Sequence, residues 1–244
     1  MEPYYYSVMT KEEKVVYQTI YIEITTGKNT FSVPALALKE ISSVYDRFRL
    51  DHPEIVGLDS FSVSRYSGAD SMTFLRNTRF DAKKMKSIQD AVTARLNKIA
   101  AGFRFDGFPA GRDRAAVEYA HTFILTNVKY DKLEKLYAHE INGPLCHGIG
   151  VCEGISKAVQ AILTCLEVPC TTVIAPSVSR ENQNHAWNIV WVNGKPFHLD
   201  ATFDLSDTER TGKKSKRWFL LTDERIFTDH GTPIYPVPAC VSER

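Results

Sequence analysis

The stretch 184–204, NHAWNIVWVNGKPFHLDATFD, decides how the rest of the chain is read. Two runs rich in β-branched and aromatic residues flank Asn193-Gly194, the dipeptide best suited to a type I′ hairpin turn. A two-residue turn there pairs Val192 with Lys195, and the same register carried outward sets Trp187 opposite Asp200 and His185 opposite Thr202. Opposed residues share a face and side chains alternate, so His185, Trp187 and Asp200 fall on one side of the sheet. His185 and Asp200 become diagonal neighbours, roughly 7–8 Å apart between backbones, close enough for a carboxylate to bond one imidazole nitrogen. The other nitrogen is then free to face a thiol. His198 shares the face but lies nearer the turn, and a turn one residue longer would move Asp200 to the opposite side.

Upstream, GIGVCEGISKAVQAILTCLEV (148–168) sets Ile155, Ala158, Val159, Ile162, Leu163 and Leu166 at steps of three and four, the pattern of a helix buried on one face. Cys152 and Glu153 fall at its N-cap or in its first turn, where unpaired N–H groups and the positive end of the helix dipole favour a thiolate. Gly150 and Gly154 carry no side-chain bulk and leave room for a substrate backbone to approach. Taken alone, Cys152 reads equally well as a small buried hydrophobe, which is how Cys165 and Cys170 are read. A nucleophile needs a base, and the base a third group that fixes its tautomer. His185 and Asp200 on one face can fill both positions.

Composition sets the surroundings for this chemistry. The 244 residues are 43% hydrophobic and 24% charged, with a formal net charge of +1, which suits a globular protein with its own core and gives no electrostatic reason to bind nucleic acid. The five cysteines, at 146, 152, 165, 170 and 240, form no disulfide framework and fit a reducing compartment. The polar start MEPYYYSVMTKEEKVV is not a signal peptide, and no run reaches the roughly 18 apolar residues of a membrane span. A cytoplasmic protein without membrane contact is expected. Cys146, His147 and Cys152 invite a zinc reading, but the two cysteines have five residues between them instead of two to four, and no second paired cluster follows. No metal or cofactor is expected.

In the first part of the chain, VVYQTIYIEI (15–24) reads as a strand by near alternation, GKN (27–29) as a turn, and FSVSRYSG (61–68) and SMTFLRNT (71–78) as strands. Between them Leu38, Ile41, Val44, Tyr45 and Phe48 keep helical spacing up to Pro53, and a long amphipathic helix runs from about Asp81 to Gly102. FRFDGFPAG (103–111) is the candidate linker, giving an N-terminal α+β region, 1–107, and a second region, 108–244. The helix that follows carries His121, read as structural.

With GVCEGISKAV, NHAWNIV, the hairpin and HLDATFD in that order, the chain resembles the transglutaminase-like group of the papain-like cysteine superfamily. NVKYD, INGPL and RWFLLTDERIFTDH look like segments of its bacterial members, and LDHPEIVGL resembles the variable region that precedes their catalytic core. The resemblance implies an α+β fold in which a helix bearing the cysteine packs on an antiparallel sheet bearing the histidine and aspartate. It implies Cys152 as nucleophile, His185 as general base and acid, and Asp200 as the orienting carboxylate. The backbone N–H at Cys152 would supply part of an oxyanion site, with Asn142 the candidate for the second donor. Trp187, Trp191 and Trp218 could line a cleft. The implied substrate is a peptide or protein amide, and the acyl group could pass to an amine or to water, making a transglutaminase, a deamidase or a protease. A catalytically silent module that binds peptides is the alternative from a different class. A calcium-regulated transglutaminase of the animal type is not expected, since no acidic calcium loop is visible in the sequence.

Overall fold

The computed structural model describes residues 2–133, 135–179 and 181–241. Their contacts group Glu2–Gln89 and the residues from Asp90 onward as two units, dividing inside a helix; the glycine-rich segment near residue 108 falls within the second.

The first unit comprises α1 (Tyr4–Ser7), α2 (Lys11–Thr25), β1 (Thr30–Pro34), α3 (Leu38–Asp51), β2 (Ser60–Ser64), β3 (Ser71–Asn77) and the start of α4 (Ala82–Gly102). Its sheet is antiparallel in the order β1-β3-β2, with Phe74 opposite both Phe31 and Val63. The core gathers Val16, Tyr17, Ile20, Ile41, Val44, Phe48 and Phe74.

The strand expected at 15–24 is instead the body of α2. Thr10 and Glu13 form a reciprocal capping box, with the Thr10 hydroxyl accepting from the Glu13 N–H (3.2 Å) and the Glu13 carboxylate from the Thr10 N–H (3.0 Å). Val16, Tyr17, Ile20 and Ile24 are buried at helical spacing, while Val15 and Ile22 are exposed. β-Branched composition is a weaker determinant than a cap joined to a 3.6-residue stripe.

Asp51, at the end of α3, accepts from the Tyr5 N–H (3.0 Å), the Tyr6 N–H (2.9 Å) and the Tyr17 hydroxyl (2.9 Å). Burial outweighs these bonds and raises its pKa from 3.8 to about 6. A carboxyl raised on folding contributes stability that is complete below its ordinary titration and is lost as pH rises through about 6. Between pH 4 and 7, as measured by urea unfolding, Asp51→Asn should therefore flatten the decline in stability by roughly 2 kcal/mol.

The second unit takes the rest of α4, then α5 (Arg112–Asn127), β4 (Lys129–Tyr130), β5 (Ile149–Gly150), α6 (Cys152–Cys165), β6 (Cys170–Pro176), β7 (Asn184–Val192), β8 (Lys195–Leu199), α7 (Ala201–Thr211), β9 (Phe219–Leu221) and α8 (Asp223–Ile226). β6 to β9 form one antiparallel sheet in sequence order, and β4 pairs with β5 in parallel. Asn193 and Gly194 both take left-handed φ, 51° and 76°, as a type I′ turn requires. The β7–β8 ladder runs from Val192↔Lys195 to Asn188↔Leu199, the register of a two-residue turn. It stops there. The strand expected to continue through Asp204 ends at Leu199, because Asp200 caps α7 by accepting the N–H groups of Thr202 (2.8 Å) and Phe203 (3.0 Å).

α6 is buried over more than its apolar stripe, since Ser156, Lys157 and Gln160 are enclosed as well. Each has a partner: Asn188 of β7 donates to the Ser156 carbonyl (3.1 Å), Thr172 of β6 donates to Gln160 (2.6 Å), and Lys157 pairs with Glu153 (2.9 Å). Cys165 is exposed at the helix end, not buried as expected. Among the described residues, no helix is long and apolar enough to cross a membrane.

Candidate active site

Asn188 and Thr172 face α6 from one side of the sheet, while Trp187 and Ile189 pack with Val173, Ala175 and Cys240 on the other. His185 has the parity of Trp187 and stacks beside it at 5.9 Å between ring centroids. It nevertheless lies close enough to Cys152, the first residue of α6, for the thiol to act on the charge of its ring. The two side chains therefore meet where β7 begins and α6 begins, at the end of the sheet and not across its face.

His185 Nε2 lies 2.6 Å from Asp200 Oδ2, which leaves Nδ1 for the thiol. The histidine side chain is 13% exposed and the aspartate 0%, so the ring can be reached from solvent while its carboxylate cannot. Burial alone would lower the His185 pKa; the Asp200 charge and hydrogen bond, with Cys152 adding to them, reverse that and raise it from 6.5 to about 10. The imidazolium is thus the resting form at neutral pH and is lost only as pH rises through about 10. Asp200, despite burial, is held well below the usual carboxylate range by His185 and by His230.

His230 was legible only as part of a motif and not as a site residue. Its Nε2 lies 2.8 Å from the same Asp200 Oδ2, and its Nδ1 2.7 Å from Asp229 Oδ1. With Thr202 and Phe203 on Oδ1, the Asp200 carboxylate meets four donors.

No side chain caps α6, whose N-cap residue is Val151. The space beside its glycines is not open for a substrate, contrary to expectation. A Cβ at Gly154 would stand 2.2 Å from the Ala138 carbonyl oxygen, and one at Gly150 2.9 Å from Ile155 Cγ1. These glycines let the turn Leu136–His139 and Pro144 close onto the helix start, where Val151 N–H donates to Ala138 (3.0 Å). Lys157 fixes the same turn by donating to the His139 carbonyl (3.1 Å).

Trp187, a cleft candidate, and Asn142, the candidate second oxyanion donor, differ. Trp187 is 1% exposed, donates its indole N–H to His198 Nδ1 (3.0 Å) and meets His230 edge-on, so it is a buried support and not a cleft wall. Asn142 is 8% exposed, and its amide has no hydrogen-bond partner among the described residues. Trp218 is also buried, and its carbonyl accepts the Asp200 N–H (2.9 Å).

Two groups of described residues bring possible metal-ligand atoms within 4.8 Å of one another: His185, Asp200 and His230, and His198, Asp223 and Cys240. Both ring nitrogens of His230 face carboxylates, and those of His198 are engaged by Trp187 (3.0 Å) and Asp223 (2.8 Å). Cys146 and His147 belong to neither group.

Residues 103–201 match the family model of the Transglutaminase-like superfamily. Similar solved structures include a TGase, at 13% identity and a TM-score of 0.40, covering 68% of this chain and 48% of that one. Another, a protein of Cytophaga hutchinsonii provisionally classed as a cysteine protease, gives 14% and 0.36, covering 59% and 61%. Calcium-bound LapG of Legionella pneumophila gives 18% and 0.31, covering 50% and 66%. The chain thus spans less than two thirds of the length of each. No curated protein matches it.

Proposed function

We propose that the chain, whose residues 103–201 match the transglutaminase-like family model, catalyses thiol-dependent acyl chemistry on peptide or protein amides, with Cys152, His185 and Asp200 as its triad. The observation that supports this best is the hydrogen bond of His185 Nε2 to the Asp200 carboxylate at 2.6 Å, beside a ring that also feels the Cys152 thiol and keeps Nδ1 for it.

In this reading the Cys152 thiolate attacks the carboxamide carbon, forming a C–S bond as the carbonyl π electrons move to oxygen. The resulting oxyanion lies at the uncapped start of α6, where the Cys152 N–H can donate to it, and Asn142 is the proposed second donor. His185 Nδ1–H protonates the leaving amine as the C–N bond breaks, which yields a thioester. The neutral ring then takes a proton from the incoming amine or water as its nitrogen or oxygen bonds to the thioester carbon, and the C–S bond breaks to release the thiolate. An amine acceptor makes the enzyme a transglutaminase, and water makes it a deamidase or protease. Asp200 keeps the proton on Nε2 and so holds Nδ1 available for both transfers.

Iodoacetamide near neutral pH tests the reading. Burial pushes the thiol of Cys170 up and that of Cys240 up to about 12, and partial desolvation raises that of the exposed Cys146, so these three should label slowly. Cys152 should label at least tenfold faster than any other cysteine, the exposed Cys165 included, and His185→Ala should remove the advantage. Equal, slow labelling of all five would exclude an enzyme of this type. Incubation with glutamine-containing peptides, with and without a primary amine, then distinguishes cleavage, deamidation and amine incorporation by mass.

A further inference from the structure

His230 lies outside the matched segment, at the end of a chain of contacts that the triad reading does not use. Both of its ring nitrogens face carboxylate oxygens, Nε2 facing Asp200 at 2.8 Å and Nδ1 facing Asp229 at 2.7 Å. Asp229 is itself fixed, because its other oxygen accepts the Trp218 indole N–H (3.1 Å). The His230 side chain is wholly buried, with Trp187 and Phe203 each 4.8 Å away between ring centroids. A Cβ on the following residue, Gly231, would stand 2.2 Å from the Pro176 carbonyl oxygen, so the backbone beside His230 packs closely on the end of β6.

A neutral imidazole has one N–H and could satisfy only one of the two carboxylates. We propose that His230 is a doubly protonated positioning residue that shares Asp200 with His185 and thereby weakens the hold of that carboxylate on the general acid. The proposal rests on the Cys152–His185–Asp200 reading for its catalytic meaning, but its electrostatic content stands alone. Two cationic rings, 5.2 Å apart between centroids, draw on one carboxylate oxygen. Each makes the other's proton easier to remove. A His185 bound by an undivided Asp200 would hold its proton more tightly and be a poorer donor to a leaving amine. The titratable groups facing His230 are Asp200 at the start of α7, Asp229 after α8, His185 on β7 and His198 on β8, whose own pKa His230 helps to lower.

Nitrogen-15 histidine NMR on the intact chain reads both rings. At neutral pH the His230 nitrogens should both show the imidazolium shift, and in His230→Gln the midpoint of His185 should move upward by about one pH unit, roughly tenfold in proton affinity. Asp229→Asn changes a partly exposed side chain and leaves the ring in place. It should move the His185 midpoint in the same direction, and it decides the matter if His230→Gln does not fold. A single-proton His230 at neutral pH, or an unmoved His185 midpoint in the folded variants, overturns the proposal. Iodoacetamide labelling of the same samples separates the two ideas: selective Cys152 labelling with an unmoved His185 rejects only the role of His230. A moved midpoint without selective labelling rejects only the triad's catalytic role.

Discussion

Asp200→Asn is expected to lower acyl turnover by roughly a thousandfold to ten-thousandfold while leaving the fold in place. Oδ1 of Asp200 receives the N–H groups of Thr202 and Phe203, so the asparagine carbonyl is retained there and continues to cap α7. The amide nitrogen must then replace Oδ2, which now faces Nε2 of both His185 and His230. Donor confronts donor. His185 can accept from the new amide only by moving its proton to Nδ1, the nitrogen that should receive the Cys152 proton. The ring becomes the wrong tautomer, and the imidazolium loses the carboxylate charge that raises its pKa. Peptide-amide turnover and the iodoacetamide rate at Cys152 should fall together, with circular dichroism unchanged. A folded variant that reacts at the wild-type rate would show that Asp200 does not orient the base.

Asp204→Ala should cause the largest loss of stability, roughly 3–5 kcal/mol, or on the order of 10 °C in melting temperature. Its carboxylate is fully buried and accepts from the Ser215 hydroxyl (2.6 Å), the Arg217 N–H (2.8 Å) and the Trp218 N–H (3.3 Å) on one oxygen, and faces His121 Nε2 (2.9 Å) on the other. Alanine would remove the acceptor of four groups at once; the Arg217 N–H keeps the Ser215 hydroxyl (3.2 Å), whereas His121 is fully buried and already has an unpartnered Nδ1. Trp218, released on its N–H side, is the residue whose carbonyl receives the Asp200 N–H, so the damage reaches the candidate site as well. Thermal unfolding followed by calorimetry measures this; a loss below about 1 kcal/mol would mean that the site relaxes or admits water.

What could be read in the sequence was local. Asn193-Gly194 specifies the hairpin because both residues tolerate left-handed φ, and α6 follows from its stripe, so Cys152 and His185 could be set on their elements in advance. α2 was misread because alternation and helical spacing coexist in 15–24, and the deciding capping box lies outside that stretch. The end of β8 was misread because an aspartate before Ala201 can finish a strand or open a helix, and only the latter gives its carboxylate two N–H groups. The burial of Trp187 and the reach of His230 to Asp200 depend on segments that return from far along the chain, and nothing within a short window encodes them.

That return has a consequence in time. A chain emerging from the ribosome has Cys152, His185 and Asp200 once residue 200 is out, but the fourth donor on Asp200 is thirty residues later, at His230. At ordinary elongation rates the interval is about two to six seconds. During it His185 and Asp200 lack the second ring, so, if His230 divides the carboxylate as proposed, the proton affinity of the nascent site differs from that of the finished one.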